Sequence, residues 1–373
     1  VDRKNKSHST KILKQKIVKK EDIRTIASLA KQGLITTEEI NVLQPVVDQF
    51  ALAMTHDMQT LIDRTQVPHD PIAKQFIPSI NELIIAAEER DDPIGDQLFS
   101  PVKGIVHRHA DRCLLMPAQI CAVYCRFCFR REKIGSHAET LTPAQLTAAL
   151  DYIAQHSEIW EVILTGGDPL ILKPMMLAEI MQRLAAIPHV EVVRIHTRIP
   201  VVDPERIHVD LIAALKLMQP VYVILHANHP KELTEQARAA CARLIDAGIP
   251  MLSQSVLLKE VNDDIETLSA LMRSFIKNRI KPYYLHQGDL AKGTQHFRTT
   301  IAHGQQLIAQ LRARFSGLCQ PTYVLDIPGG YGKVPIGPCY VQQVVCHAEG
   351  EHVEGKSEHA YVITDYDGNL HQL

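Results

Sequence analysis

The sequence predicts an α/β fold, a partial β/α barrel of six strand–helix units behind an N-terminal helical cap. Three observations carry that expectation. Short apolar runs at 112–117, 161–164, 190–195, 221–225, 251–256 and 282–286 alternate with helical stretches, and strands separated by helices pair in parallel through right-handed crossovers. Residues 20–89 read as helical, with Thr36-Thr37-Glu38-Glu39 as a helix start and Pro68 to Pro78 as punctuation. Between the two, the polar and turn-rich Asp91-Asp92-Pro93-Ile94-Gly95-Asp96 marks a boundary. The expected organisation is a basic tail over 1–20, a helical region over 21–95, the barrel over 96–340 and an extension over 341–373.

In chain order, the tail is rich in lysine and arginine. A solvated, partly helical tail accounts for it better than a nucleic-acid arm or a targeting peptide. The 373 residues, 46% of them hydrophobic, suffice for a large core. The formal net charge of −2 gives no electrostatic footprint for nucleic acid or an anionic membrane. No apolar run approaches the roughly 18 residues of a membrane span. Eight cysteines in a chain of this length fit a reducing compartment, the cytoplasm, better than a disulfide scaffold.

Active-site residues of a β/α barrel stand at the carboxyl ends of its strands, and the conspicuous polar residues fall there. After the first strand comes Cys121-Ala-Val-Tyr-Cys125-Arg-Phe-Cys128. Thiolates this close in sequence can converge on one soft metal centre, and three of them leave one iron of a cubane cluster without a protein ligand. The rivals are a zinc site, for which Cys113 and His137 complete no familiar spacing, and a buried or disulfide-bonded trio. Thr165-Gly166-Gly167-Asp168-Pro169 follows the second strand. Glycines let backbone approach a ligand and a carboxylate pairs with an ammonium, although such a turn alone is most often only a turn. Two further strand ends carry His226-Ala-Asn228-His229 and Ser253-Gln254-Ser255; the histidines lack a third partner for a metal site. Leu325-Asp326-Ile327-Pro328-Gly329-Gly330-Tyr331-Gly332-Lys333-Val334 puts a lysine on a glycine-rich turn. Ile327 and Val334 break the phosphate-loop spacing, which leaves a solvated lysine or an amine kept for a Schiff base.

CxxxCxxC is the signature of the radical S-adenosylmethionine (SAM) enzymes. Its continuation here, Cys128-Phe129-Arg130-Arg131, resembles the lysine 2,3-aminomutase family, and the resemblance extends over roughly residues 90–340. It implies a partial (β/α)6 barrel of radical SAM type, with a [4Fe–4S] cluster held by Cys121, Cys125 and Cys128 and an open iron for SAM. It implies SAM contacts at Gly166, Gly167, Asp168, His229 and Gln254, and leaves His226 unassigned. The run ending in Lys333 is similar to the family's DxPGGxGK segment, which implies that Lys333 carries pyridoxal 5′-phosphate (PLP) as a Schiff base. The segment containing Arg108, His109 and Arg112 resembles the one that grips the PLP phosphate, a task that suits arginine's fork. Arg130 matches the arginine that pairs with the substrate carboxylate, while Arg131 reads as structural. Asp289 and Asp326 match the two carboxylates that bind the ε-ammonium of lysine.

The implied activity is the isomerisation of L-lysine and β-lysine. Cleavage of SAM yields a 5′-deoxyadenosyl radical that removes hydrogen from the β-carbon, and PLP carries the nitrogen across. Two carboxylates in one cavity favour a cation, so arginine is the alternative substrate and glutamate is repelled. Rival readings are the family branch that makes β-lysine for elongation factor P, which tends to lack the counterpart of Asp326, and an iron–sulfur redox or binding protein without mutase activity. A tRNA-modifying role lacks its basic stripe with interleaved aromatics. The expected partners are the amino acid, a flavodoxin or ferredoxin as reductant and further copies of the chain, without membrane or nucleic acid. The C-terminal segment departs from the family: Cys346-His347 and Glu349-Gly-Glu-His-Val-Glu354 contain no CxxC, so a zinc-binding tail and its tetramer lose sequence support. Cys241, Cys319, Cys339 and Cys346 have no assigned role.

Overall fold

The computed structural model describes residues 21–135, 140–346, 358–365 and 368–372; the basic tail, His137 and residues 347–357 lie outside them. Seven parallel strands form one curled sheet in sequence order: β2 (Arg112–Ala118), β3 (Glu161–Gly166), β4 (Val192–Thr197), β5 (Val221–His226), β6 (Met251–Val256), β7 (Ile280–His286) and β8 (Thr322–Asp326). Antiparallel strands flank them, β1 (Ile105–His109) beside β2 and β9 (Lys333–Pro335) beside β8. Spatial order equals chain order, and the end strands β1 and β9 do not pair with each other, so the sheet is open between them.

The six expected strands are β2 to β7, and β8 makes a seventh parallel member. It went unread because Thr-Tyr-Val-Leu-Asp offers only a three-residue apolar run before the polar turn. β3 is buried from Val162 to Gly166, as expected of a parallel strand in a curled sheet, with helices on its outer face and the barrel interior on the other. The helices show the complementary pattern. In α10 (Ile265–Lys277), Leu268, Leu271, Met272 and Phe275 are buried on one stripe, and Asp264 caps the first turn through the Thr267 N–H. The other helices of the body are α5 (Pro143–Gln155), α6 (Pro174–Ala185), α7 (Ile199–Val202), α8 (Val209–Leu215), α9 (Glu235–Asp246) and α11 (Ile301–Arg314).

The N-terminal region contains α1 (Ile26–Lys31), α2 (Thr37–Gln49), α3 (His56–Thr60) and α4 (Pro71–Phe76). The expected start of α2 is a capping box: Thr36 accepts from the Glu39 N–H, and the Glu39 carboxylate accepts from the Thr36 N–H at 2.7 Å. This region has no core of its own. Met58, Ile72 and Phe76 belong to the same buried cluster as Leu115, Val162 and Leu164 of the sheet. From Ile80 to Phe99 the chain runs through 3-10 turns instead of helix. At the C-terminus, β10 (Val341–Cys346), β11 (Glu358–Thr364) and β12 (Leu370–Gln372) form a separate antiparallel sheet.

Candidate active site

A cavity of about 640 Å³ opens at the carboxyl ends of the parallel strands. Its wall at the β2 end contains Cys121, Cys125 and Cys128. The cap holds this loop in place. The Tyr124 N–H donates to Ala53 O and the Arg126 N–H to Gln75 O, both at 2.9 Å. The Arg126 guanidinium lies in the core, with Nε 3.0 Å from Glu82 Oε1. Arg131 also pairs with Glu82, and its Nη1 donates to Arg126 O at 2.9 Å, a structural role as expected of it. Burial pushes the Cys128 thiol up to about 11, helped by the neighbouring Cys125, and burial likewise raises Cys121, with Asp168 and the other two cysteines adding to it. Such thiols stay protonated until a metal supplies the compensating charge. Among the described residues, no three His, Cys, Asp or Glu side chains are gathered tightly enough for a single ion. A cubane spreads its thiolates over separate irons, so its ligands stand further apart than those of one zinc.

The glycines after β3 serve close packing of backbone on backbone. A Cβ on Gly166 would fall 2.8 Å from Met116 Cβ, and one on Gly167 would collide with the Ile120 backbone. The strand end therefore lies against the segment that enters the cysteine loop, with the Gly167 N–H donating to Ala118 O at 2.8 Å. Asp168 is buried, and its carboxylate is filled by protein donors: the Thr197 hydroxyl at 2.8 Å, the Arg198 N–H at 2.7 Å and the Leu170 N–H at 3.1 Å. It organises the turn. Gln254 and His226 line the cavity, whereas His229 does not; its Nδ1 accepts from the Lys231 N–H at 3.2 Å and caps a turn.

Arg108, His109 and Arg112, on the β1–β2 hairpin, also line the cavity. The glycine-rich loop passes beside them, since a Cβ on Gly332 would lie 3.6 Å from the His109 ring. Lys333 begins β9 directly opposite Asp326 at the end of β8, and the two form an ion pair. His286 Nδ1 is 3.3 Å from the Lys333 amine and 3.5 Å from Asp326 Oδ2. Burial opposes ionisation of Asp326, but the His286 hydrogen bond and the Lys333 charge outweigh it and hold that carboxyl below its usual range. Asp289 goes the other way, raised to about 7 by burial and by the charge of Asp326. Its Oδ1 is buried without a partner.

The cavity thus gathers every residue to which the sequence assigned a cluster, SAM, PLP or substrate contact, except His229. It also contains groups the sequence reading passed over. Asp96 accepts from Arg130 Nε at 2.9 Å and from Arg108 Nη2 at 3.3 Å, so one buried carboxylate orients both arginines. In the sequence it is one residue of the polar turn at 91–96. His196, His286 and Arg198 stand at or just past strand ends, the positions where the barrel rule directs attention. Buried polar atoms without partners collect in this wall: Arg108 Nε, His196 Nε2, His226 Nε2 and His286 Nε2 join Asp289 Oδ1. An apolar core would leave such atoms at a cost of about 1–3 kcal/mol each, so the cavity is built for polar ligands.

Three thiols on a loop after the first parallel strand, a glycine turn after the second and an open barrel define a radical SAM enzyme. The Radical SAM superfamily pattern matches residues 115–272. L-lysine 2,3-aminomutase of Acetoanaerobium sticklandii is 42% identical over 319 residues, covering 86% of this chain and 77% of that one. The enzyme of the same name from Clostridium subterminale is 42% identical over 319 residues, covering 86% and 76%. Glutamate 2,3-aminomutase of Clostridioides difficile is 37% identical over 319 residues, covering 86% and 75%. The chain belongs to the lysine 2,3-aminomutase family, isomerases that use a [4Fe–4S] cluster, SAM and PLP.

The residues present fit these groups. The cysteine wall carries thiols for three irons, unpartnered buried donors and acceptors line the cavity, and a basic hairpin and a lysine amine line it as well.

Proposed function

We propose that this chain interconverts L-lysine and β-lysine by 2,3-amino migration. One observation carries the substrate assignment: Asp289 and Asp326 line the same cavity, close enough that the charge of Asp326 raises the Asp289 carboxyl, while Arg130 lies in the same cavity on the loop after Cys128. An α-amino acid with a terminal cation meets both demands. Its carboxylate pairs with Arg130, which Asp96 and the Phe129 ring hold in position. Its side-chain ammonium binds between the two aspartates. A glutamate side chain there would face two carboxylates in a poorly solvated site.

When bound, the cluster with SAM supplies hydrogen-atom abstraction, and PLP supplies a carrier for the migrating nitrogen. Cys121, Cys125 and Cys128 hold the cluster in this reading, and Gln254 with the backbone of Gly166 and Gly167 borders SAM. Asp168 keeps that backbone in place, and His229 caps the turn beyond it. Arg108, His109 and Arg112 take the PLP phosphate, and Lys333 takes its aldehyde carbon. Lys333 is the partner of Asp326 in this structure, so the substrate ammonium would share that carboxylate or compete for it with the Lys333 amine. The apolar parts of the wall exclude water from the reacting carbons.

A flavodoxin or ferredoxin fits the need for a low-potential one-electron donor, and self-association is expected. Cys113, Cys121, Cys125, Cys128, Cys241, Cys319 and Cys339 are free thiols, in keeping with a reducing compartment such as the cytoplasm. Among the described residues no helix is long and apolar enough to cross a membrane. A substrate screen tests the assignment: turnover of L-lysine at least a hundredfold above L-glutamate and well above L-arginine is expected, and preference for glutamate would refute it.

A further inference from the structure

We propose that Arg198 sets the reduction potential of the cluster, donating a charged hydrogen bond to the Cys125 sulfur from within a buried clamp formed by Glu232 and Gln75. The proposal rests on the assignment of Cys125 as a cluster ligand.

Arg198 follows the last residue of β4 and is buried. Its Nη1 lies 2.9 Å from Cys125 Sγ. Its Nη2 donates to Glu232 Oε2 at 2.6 Å and to Gln75 Oε1 at 3.0 Å. The guanidinium carbon stands 5.0 Å from the centre of the Phe76 ring and 5.7 Å from that of Phe127. The partners are themselves fixed. Glu232 Oε1 accepts from the N–H groups of Asn228 at 2.9 Å and His229 at 3.0 Å, and Asn228 Nδ2 donates to Gln75 Oε1 at 3.1 Å. The network joins α4 of the cap to the ends of β4 and β5, and Arg198 carries it to Cys125.

Reduction adds one electron and no proton, [4Fe–4S]2+ + e− → [4Fe–4S]+, with the electron coming from an external low-potential donor. The negative charge on the cluster and its thiolates rises. A cationic N–H donor on a ligand sulfur stabilises the reduced form more than the oxidised form and raises the potential. Arginine remains protonated in both states, so its charge is constant. Glu232 lowers the cost of burying that charge and at the same time moderates its field at Cys125. Arg198 acts through Cys125; it is a positioning residue.

The test is EPR-monitored spectroelectrochemistry of the anaerobically reconstituted holoenzyme without SAM. Arg198→Gln is expected to shift the reduction equilibrium toward the oxidised cluster at least tenfold, about 59 mV downward for a one-electron couple. Arg198→Lys, which retains the charge without the fork, is expected to move in the same direction by less, and Glu232→Gln in the opposite direction. Wild-type protein carrying 15N-guanidino-arginine supplies a readout that needs no variant to fold: the reduced cluster should show a 15N coupling transmitted across the N–H···S contact. A full cluster with potentials within threefold of wild type in equilibrium constant, or absence of that coupling, overturns this proposal alone. A chain that binds no cluster overturns the cluster assignment together with it.

Discussion

Lys333 and Asp326 stand directly opposite one another across the antiparallel β8–β9 pair, and their side chains form an ion pair. The residue expected to carry PLP is thus the ion-pair partner of a residue expected to bind the substrate. Lys333→Ala is predicted to abolish the visible absorbance of bound PLP while leaving the iron content of the reconstituted protein unchanged. Retention of the PLP band in that variant would place the attachment elsewhere.

Asp289 supplies a pH dependence. Its carboxyl is raised to about 7 by burial and by the charge of Asp326, and an ammonium binds the ionised form. Below that value each unit of acid removes about nine-tenths of the remaining ionised form. KM for L-lysine is therefore predicted to fall about tenfold per pH unit up to about 7 and to level off above it. Asp289→Asn should raise KM and flatten this profile; an unchanged slope in the variant would exclude Asp289 as its source.

Asp96 orients Arg108 and Arg130 together. Asp96→Asn is predicted to weaken both lysine and PLP binding, each by about tenfold to a hundredfold, in line with about 1.5–3 kcal/mol for a hydrogen bond to a charged group. Calorimetry on the two ligands separately checks it. A change in only one would mean that the two arginines are positioned independently.

Glu82 is buried between Arg126 and Arg131, and these arginines tie the cysteine loop to the cap. Glu82→Gln leaves two guanidinium groups buried against one neutral partner and is predicted to destabilise the fold by about 3–5 kcal/mol. Thermal denaturation of the purified variant measures this, and a loss below about 1 kcal/mol would mean that the loop is anchored mainly by its backbone hydrogen bonds.

The parts of this molecule that are legible in the sequence are those written locally. The capping box of α2 lies within four residues, β2 to β7 are short apolar runs bounded by polar ends, and the cysteine loop is a contiguous motif. What escaped the reading depends on distant partners. Asp96 looks like a turn residue until Arg130, far along the chain, folds onto it. Asp168 reads as a ligand for an ammonium, yet Thr197 and Arg198 from the next strand end fill its carboxylate. Gly166 and Gly167 read as room for a ligand, and the room is taken by Met116 and Ile120. Arg198 carries no local signal at all, since Gln75, Cys125 and Glu232 converge on it from three separate segments. Strand β8 was too short and too polar at its ends to stand out.

The most direct measurement is an anaerobic assay of the reconstituted protein with SAM, PLP, a strong reductant and L-lysine, with the amino acids resolved by chiral mass spectrometry. The account predicts β-lysine in wild type and none in Cys125→Ser or Lys333→Ala. Absence of β-lysine from protein that holds both its cluster and PLP would contradict lysine as the substrate.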